Sequence, residues 1–548
     1  MIRINQLKVP VSAICRMNEE NDRLELLKKR AADHLKIASD RIQKISVVKQ
    51  SMDCRKKPDI FYVYCVDITL SAEMKSKEAG IAGRSGDTVL ENKKNVSPII
   101  FPESGNIDSH KRIYVVGSGP AGLFCAWKLI ESGYRPIVLE RGPAVEERAA
   151  AVDEFWRTGI LNTEANVQFG EGGAGTFSDG KLNTMVKDPE GHYRTMLEVF
   201  VQNGAPEEIL YKNKPHIGTD CLRRVIVSMR EHMKERGAAF CYNTCLTDLK
   251  FRNDSLCEIQ INHENWLPAD ICVLATGHSA RDTFEMLLER GIVMEPKPFA
   301  MGVRIEHPQT MINDSQYGEA NRNLPLPPAD YKLTGTAPST GRSVFSFCMC
   351  PGGFVVNASS EQGRLAVNGM SNHARDTQNA NSAVITAVTP DDFPGDQSDV
   401  LRGMRFQRTL EENAYRAAQG KIPMSRFDDF RNHRISTGFG EVLPSVKGQC
   451  EFADVRGIFP EYMAVSIEEG IVGFERKIKG FSRKDALMYG VESRTSSPVR
   501  VLRNDEFTAL SKEGLYPCGE GAGYAGGISS AAMDGMKVAA KIVGKLTK

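Results

Sequence analysis

The chain has 548 residues, 41% of them hydrophobic, with 70 Lys and Arg against 69 Asp and Glu and a formal net charge of +1. That length allows roughly three or four domains of ~150 residues with sizeable cores, and the balanced composition excludes a disordered chain or a globally basic nucleic-acid binder. No stretch approaches the ~18 unbroken apolar residues of a membrane span and Met1–Ser12 lacks a signal-peptide core, so a cytoplasmic protein without membrane partners is expected, its 13 scattered cysteines read as free thiols.

An extended start, Ile2–Val11, precedes apolar residues at helical spacing (Leu24, Leu27, Ala31, Leu35, Ala38 and Ile42), which predict a helix over 24–45. Strand-like runs Ser46–Gln50 and Ile60–Leu70 follow, separated by the basic turn Asp53–Pro58. This β-α-β-β order predicts a small α+β module ending near Leu70. The Ser-, Gly-, Lys- and Glu-rich residues 71–110 read as linker, so the first part spans 1–100.

Ile113–Val116 is a run of strand formers that ends in Gly117-Ser118-Gly119-Pro120-Ala121-Gly122 and opens an apolar helical face through Leu129. Glycines at this spacing suit a dinucleotide. Gly117 permits a tight turn, Gly119 leaves bare backbone beside a pyrophosphate, and Gly122 lets the helix approach the strand. The helix start aims unpaired N–H groups and a partial positive charge at the phosphates. A second strand, Pro136–Leu139, ends in Glu140, an acid placed to accept from both ribose hydroxyls and to repel a 2′-phosphate.

A helix over Ala144–Trp156 and a glycine-rich loop, Phe169–Thr184, come next. A helix over Thr219–Arg236 leads into a strand at Ala238–Asn243, and a further strand, Ile271–Gly277, meets a helix at about 279–290. From Gly291 to Val499 the pattern changes to strand-like pieces such as Phe299–Glu306 and Ser343–Cys348, read as an inserted, β-rich substrate domain over 291–499. The nucleotide-domain pattern returns in Leu515–Ile528 and a helix to about Lys545. The nucleotide-binding domain is therefore expected over 111–290 plus 500–548, an α/β Rossmann-like unit.

Three segments besides the cradle favour FAD over NAD, because the longer cofactor must be held by parts of the chain distant in sequence. The first is the glycine-rich loop: Gly173 and Gly175 permit close backbone approach, and Ser178, Asp179, Lys181 and Asn183 offer polar contacts, with Thr176 and Leu182 assigned to the same contact surface. The second is Ala275-Thr276-Gly277, small residues at a strand end. The third is Gly519-Glu520 with Gly526, Gly527 and Ile528 at the last helix start. There Glu520 is placed for a ribityl hydroxyl, and the amides of Gly527 and Ile528 for the flavin pyrimidine edge.

In this order the motifs resemble the glutathione-reductase-type FAD superfamily, with Glu140-Arg141-Gly142 completing the second of them. Asn166–Thr184, Pro215–Asp220, Gly277–Asp282, Phe347–Gly353 and Ser493–Arg500 further resemble a bacterial family of largely uncharacterised FAD-dependent dehydrogenases. The resemblance implies bound FAD, an oxidoreductase acting on an unidentified small molecule, a cofactor contact from Arg141, and backbone contacts from Leu246 to adenine. Glu520 stands where many relatives carry Asp.

For chemistry beyond the cofactor, Lys181 is the first candidate, as a cation beside reduced flavin or as a plain surface or pyrophosphate lysine. Cys348 and Cys350 are the next, as an electron relay or as small buried residues, since a CxC disulfide closes a strained ring. Arg304, His307, Arg342 and Arg494 suit an acidic substrate, with surface charge the alternative reading. No second GxGxxG follows a strand, and CxxC or HxxxH metal sets are missing, so NAD(P)H enters only as a transient donor and no metal is expected. Lys28–Arg30 and Arg55–Lys57 raise an RNA-modifying role, against which their interleaved acids count. A flavin-binding interaction or self-association role for the N-terminal module is the remaining alternative.

Overall fold

A computed structural model describes residues 1–548 apart from 16, 18, 19, 84, 92–110, 511 and 548. The chain forms two compact units, and the N-terminal one also takes in Pro206–Pro215 and Thr310–Ala329.

In the N-terminal unit four antiparallel strands lie in the order Ile42–Lys56, Asp59–Leu70, Ile2–Pro10 and Thr88–Leu90. The helix Glu20–Leu35 lays Leu27, Ala31, Ala32 and Leu35 on sheet residues Ile2, Ile4, Val66 and Ile68. It stops ten residues short of the expected 24–45 span. Lys36 turns left-handed (φ 55°) and the Ile37 N–H donates back to the Ala32 carbonyl at 3.0 Å, which closes the helix. Ile42 keeps its buried place from a strand instead, because β-branched Ile45, Val47 and Val48 favour extended backbone.

Two further expectations fail here. Asp53–Lys56 is strand rather than turn, paired as far as Lys56 with Asp59. Residues 72–90 are not linker: they form a short 3₁₀ turn, the helix Glu78–Ala82 and the edge strand Thr88–Leu90, elements too brief to show periodicity. The rest of the expected linker, 92–110, lies outside the described residues. The sequence boundaries also split this unit. Tyr211 and Asn213 exchange backbone hydrogen bonds with Gln50 at 2.8 Å, and Asn321 donates to the Pro58 carbonyl at 2.8 Å.

The larger unit holds a five-stranded parallel sheet in the order Leu515–Pro517, Ile271–Leu274, Ile113–Val116, Ile137–Leu139 and Ala239–Cys241. Its central strands are buried on both faces, as a Rossmann-like arrangement requires. The helices Pro120–Glu131 and Ile528–Leu546 pack closely: a Cβ on Gly535 would lie 2.1 Å from the Ala121 carbonyl oxygen.

The same unit contains a seven-stranded sheet, ordered Thr334–Thr336, Ser343–Cys350, Asn379–Val388, Phe299–Pro308, Leu487–Glu492, Ile422–Arg426 and Cys450–Phe452. This region is less purely β than its sequence texture suggests. The helices Arg402–Ala417 and Glu461–Phe474 bury one face each among its residues.

Candidate functional site

The buried strand Ile113–Val116 delivers the chain to Gly117, whose left-handed φ of 97° makes the turn. A Cβ on Gly117 would come within 2.4 Å of the Ala275 carbonyl oxygen, and one on Gly122 within 1.8 Å of the Gly117 carbonyl oxygen. The first motif is therefore closed against the Ala275 strand end by contacts that only hydrogen side chains permit. Gly119 caps the helix and faces Gly173 across the opening.

Around this turn lies a cleft of about 340 Å³. Its walls include Gly117, Gly119, Pro120 and Ala121 from the first motif, then Glu140 and Arg141. The loop contributes Gly173, Gly175, Ser178, Asp179, Lys181 and Asn183. Leu246 joins them, as do Ala275, Thr276 and Gly277. Glu520, Gly526, Gly527 and Ile528 complete the set, with Cys348 from the seven-stranded sheet.

Six expected site residues do not line the cleft. Ser118 points at Glu140, donating from its backbone N at 2.9 Å and its hydroxyl at 2.7 Å. Gly122 provides helix packing, and Gly519 donates its N–H to Asp534 at 2.7 Å. Thr176, Leu182 and Cys350 are buried, the Leu182 carbonyl accepting from the Ser529 hydroxyl.

Glu140 is more heavily engaged than its sequence position implies. Besides Ser118 it accepts from the backbone N–H groups of Gly142 (3.1 Å) and Gly170 (3.0 Å), filling about four lone-pair sites. Of these donors only the Ser118 hydroxyl can rotate aside, so a ribose hydroxyl placed here would reach the carboxylate only by taking its place.

Arg148 is the main residue that sequence reasoning missed. Wholly buried, it donates to five carbonyl oxygens in and just before the glycine-rich loop, those of Asn166, Val167, Gly170, Glu171 and Gly173, at 2.8–3.2 Å. The available signal was its place on the buried stripe of the helix Val145–Thr158, beside Val145, Val152 and Phe155. Burial pulls its pKa down to about 9.

Also on the cleft wall, Asp179 is buried between Arg375, which donates to it at 2.9 Å, and Lys181, whose Nζ lies 3.8 Å away. Burial raises its pKa, but Lys181 and Arg375 outweigh that and hold it below the usual range. Cys348 sits at a break in strand register with φ 43°. The neighbouring Cys350 thiol, then Arg304 and Lys181, outweigh burial and bring its thiol down to about 6, while the same pairing and burial push Cys350 well up. Glu492 and Glu520, both on the cleft wall, are raised to about 7 by burial.

The four residues expected to meet an acidic substrate are otherwise occupied. Arg304 is fully buried, donating to Asn381 (3.0 Å), the Cys348 carbonyl (2.6 Å) and Glu492 (3.3 Å). His307 is buried against the Phe481 carbonyl at 2.7 Å, and Arg342 grips Asp392. Arg494 alone reaches the cleft, yet one edge of its guanidinium, Nε and Nη2, is on Glu411 at 3.1 Å and its Nη1 donates to the Ser279 (3.2 Å) and Ser360 hydroxyls. Surface charge does not describe Arg304, His307 or Arg494 either, since all three are buried.

The residues fit an extended cofactor. A Cβ added at Gly277, Gly526 or Gly527 would meet no protein atom within 4 Å, so these backbones border open cleft space that side chains would fill. The helix Ile528–Leu546 begins there and directs unpaired N–H groups toward it.

Sequence comparison gives the same group. Residues 298–495 match a family model described as "FAD-dependent protein, C-terminal domain-like", residues 115–150 an NAD(P)-binding Rossmann-like domain, and residues 1–69 a domain of unknown function. An uncharacterized protein of Clostridium beijerinckii is 44% identical over 546 residues, 99% of each chain. This chain belongs to the same family as that clostridial protein. The family match makes FAD the cofactor.

Solved structures are more distant. Halogenase PltM is 10% identical (TM-score 0.36; 80% of this chain, 69% of that one), and tetracycline destructase Tet(55) is 11% identical (TM-score 0.34; 80% and 85%). Similarity at that level does not bear on what this family does. Among the described residues no helix is long and apolar enough to cross a membrane.

Proposed function

We propose that the chain is a FAD-dependent oxidoreductase of glutathione-reductase-type architecture, moving hydride between flavin N5 and a small organic substrate in the cytoplasm. The observation that carries this reading is the convergence of Gly117, Ala275 and Gly526–Ile528, from three separated stretches, on one cleft. FAD, when bound, supplies the two-electron chemistry. The chain supplies the surroundings. Gly117–Ala121 and Arg148 shape the phosphate-binding end, and the helix start at Ile528 and Lys181 make the other end favourable to negative charge. Glu492 and Glu520, with pKa values near neutrality, are suited to hold or release a proton there.

The test is purification followed by measurement of flavin content and anaerobic reduction with NADH, NADPH or dithionite. Stoichiometric FAD that bleaches with a nicotinamide donor or a substrate is expected. Folded protein that neither retains nor takes up FAD would overturn the reading.

A further inference from the structure

A second cavity opens beside the cleft and shares Asn183, Phe347, Thr495, Gly526 and Ser530 with it. Its floor is one face of the seven-stranded sheet. Side chains two apart in a strand share a face, and Phe345 and Phe347, Ile385 and Ala387, and Ala300 come from three adjacent strands in register, with Phe345 opposite Ile385 and Ala300 opposite Ala387. Ala300, Ile385 and Phe345 pack as a small apolar cluster. Met185, 90% exposed, and Val186 stand at the cavity wall and leave apolar surface open to water.

Among the described residues, one formal charge lines this cavity. Lys297 is half-buried, and among the described residues its amine has neither a hydrogen-bond partner nor an ion pair within 4 Å, although it lies close enough to Glu520 to feel its charge. A half-buried, unpaired ammonium on a wall whose other groups are uncharged is a receptor for one anionic group.

We infer that this cavity binds the substrate of the proposed oxidoreductase, and that the substrate is a flat, largely apolar molecule carrying a single anionic group held by Lys297. This assignment rests on the preceding functional reading only for calling the ligand a substrate. The five shared residues place a molecule in the cavity against the Gly526 end of the cleft. A polyanion is disfavoured, because the other polar groups on the wall are uncharged hydroxyls and amides.

The test uses FAD-loaded protein titrated with naphthoate, followed by naphthoate fluorescence in equilibrium dialysis and by the difference spectrum of bound flavin. Naphthamide serves as the uncharged counterpart. Naphthoate is expected to bind and perturb the flavin spectrum. Lys297→Met should weaken naphthoate by at least about tenfold and naphthamide by less than about twofold. Ala387→Trp, filling the cavity floor, should abolish both while FAD content and melting temperature hold. Flavin-loaded protein that ignores naphthoate, or loses both probes equally in Lys297→Met, overturns the inference and leaves the oxidoreductase reading standing. Naphthoate binding with the Lys297 dependence in protein that takes up no FAD keeps the cavity assignment and overturns the other.

Discussion

Removing the Arg148 guanidinium would leave the buried Asn166 and Val167 carbonyls without a donor and take one donor from those of Gly170, Glu171 and Gly173, which keep Gly173 N–H, the Thr176 hydroxyl and Thr176 N–H. An unsatisfied buried group costs ~1–3 kcal/mol, so with two of them Arg148→Met is expected to lose at least about 2 kcal/mol in urea unfolding and to release FAD. A variant with wild-type stability and flavin content would refute the organising role. Cys348 offers a second measurement. Its alkylation by iodoacetamide should titrate near pH 6, and Cys350→Ala should move the midpoint up toward the ordinary thiol value of ~8.5, because the neighbouring thiol is the largest cause of the shift. A midpoint unmoved by Cys350→Ala would exclude that cause. Glu306 gives a pH-dependent stability. Burial raises its folded pKa to about 7, above the unfolded value of ~4.3. Between those values the folded state binds the extra proton, so this group's contribution falls as pH rises and is fully unfavourable above about 7. Glu306→Gln should therefore match wild type near pH 5 and exceed it at pH 8 by on the order of 1–3 kcal/mol. An equal difference at both pH values would show that the carboxyl does not titrate in this range.

Among the elements, the two helices of the nucleotide-binding sheet provide an internal comparison. Gly122→Ala and Gly535→Ala each place a methyl within about 2 Å of a backbone carbonyl oxygen, and overpacking against immobile backbone costs ~1–3 kcal/mol or more. Gly544, exposed in the same C-terminal helix with nothing near its Cβ, should gain up to ~1 kcal/mol on mutation to Ala. Thermal melts and flavin retention distinguish the three, and a destabilised Gly544→Ala would contradict the packing argument. This contrast also shows what could be read from the chain alone. The cradle was legible because the role of each glycine is set by neighbours within a few residues or by the strand beside it, and Glu140 follows at fixed spacing. The end of the first helix was not, because Ala38 and Ile42 continue a helical spacing that the turn at Lys36 interrupts. The charged interior was not legible either. Arg304 and Glu492 are 188 residues apart and become a pair only when their strands adjoin.

Over the whole molecule, the N-terminal unit is not a terminal appendage that a single cut removes. Pro206–Pro215 and Thr310–Ala329 belong to it, tied to Gln50, Lys57 and Pro58 by backbone and side-chain hydrogen bonds. A truncation beginning at Lys111 would strip both segments of these partners. It is expected to aggregate or to show increased protease cleavage within 206–215 and 310–329, measured by light scattering and limited proteolysis. A monodisperse truncation, equally protected at both segments, would show that they stand without the N-terminal strands.

The same interleaving sets an order of events on the ribosome. The first ninety residues emerge early, yet the last piece of their unit is not made until Ala329, and at ~5–20 residues per second that is a wait of roughly 10–50 s. Through that interval the nascent sheet must remain intact or shielded by chaperones without its late-arriving segments, so a slowed codon stretch ahead of residue 310 would lower the yield of folded protein more than one placed after it.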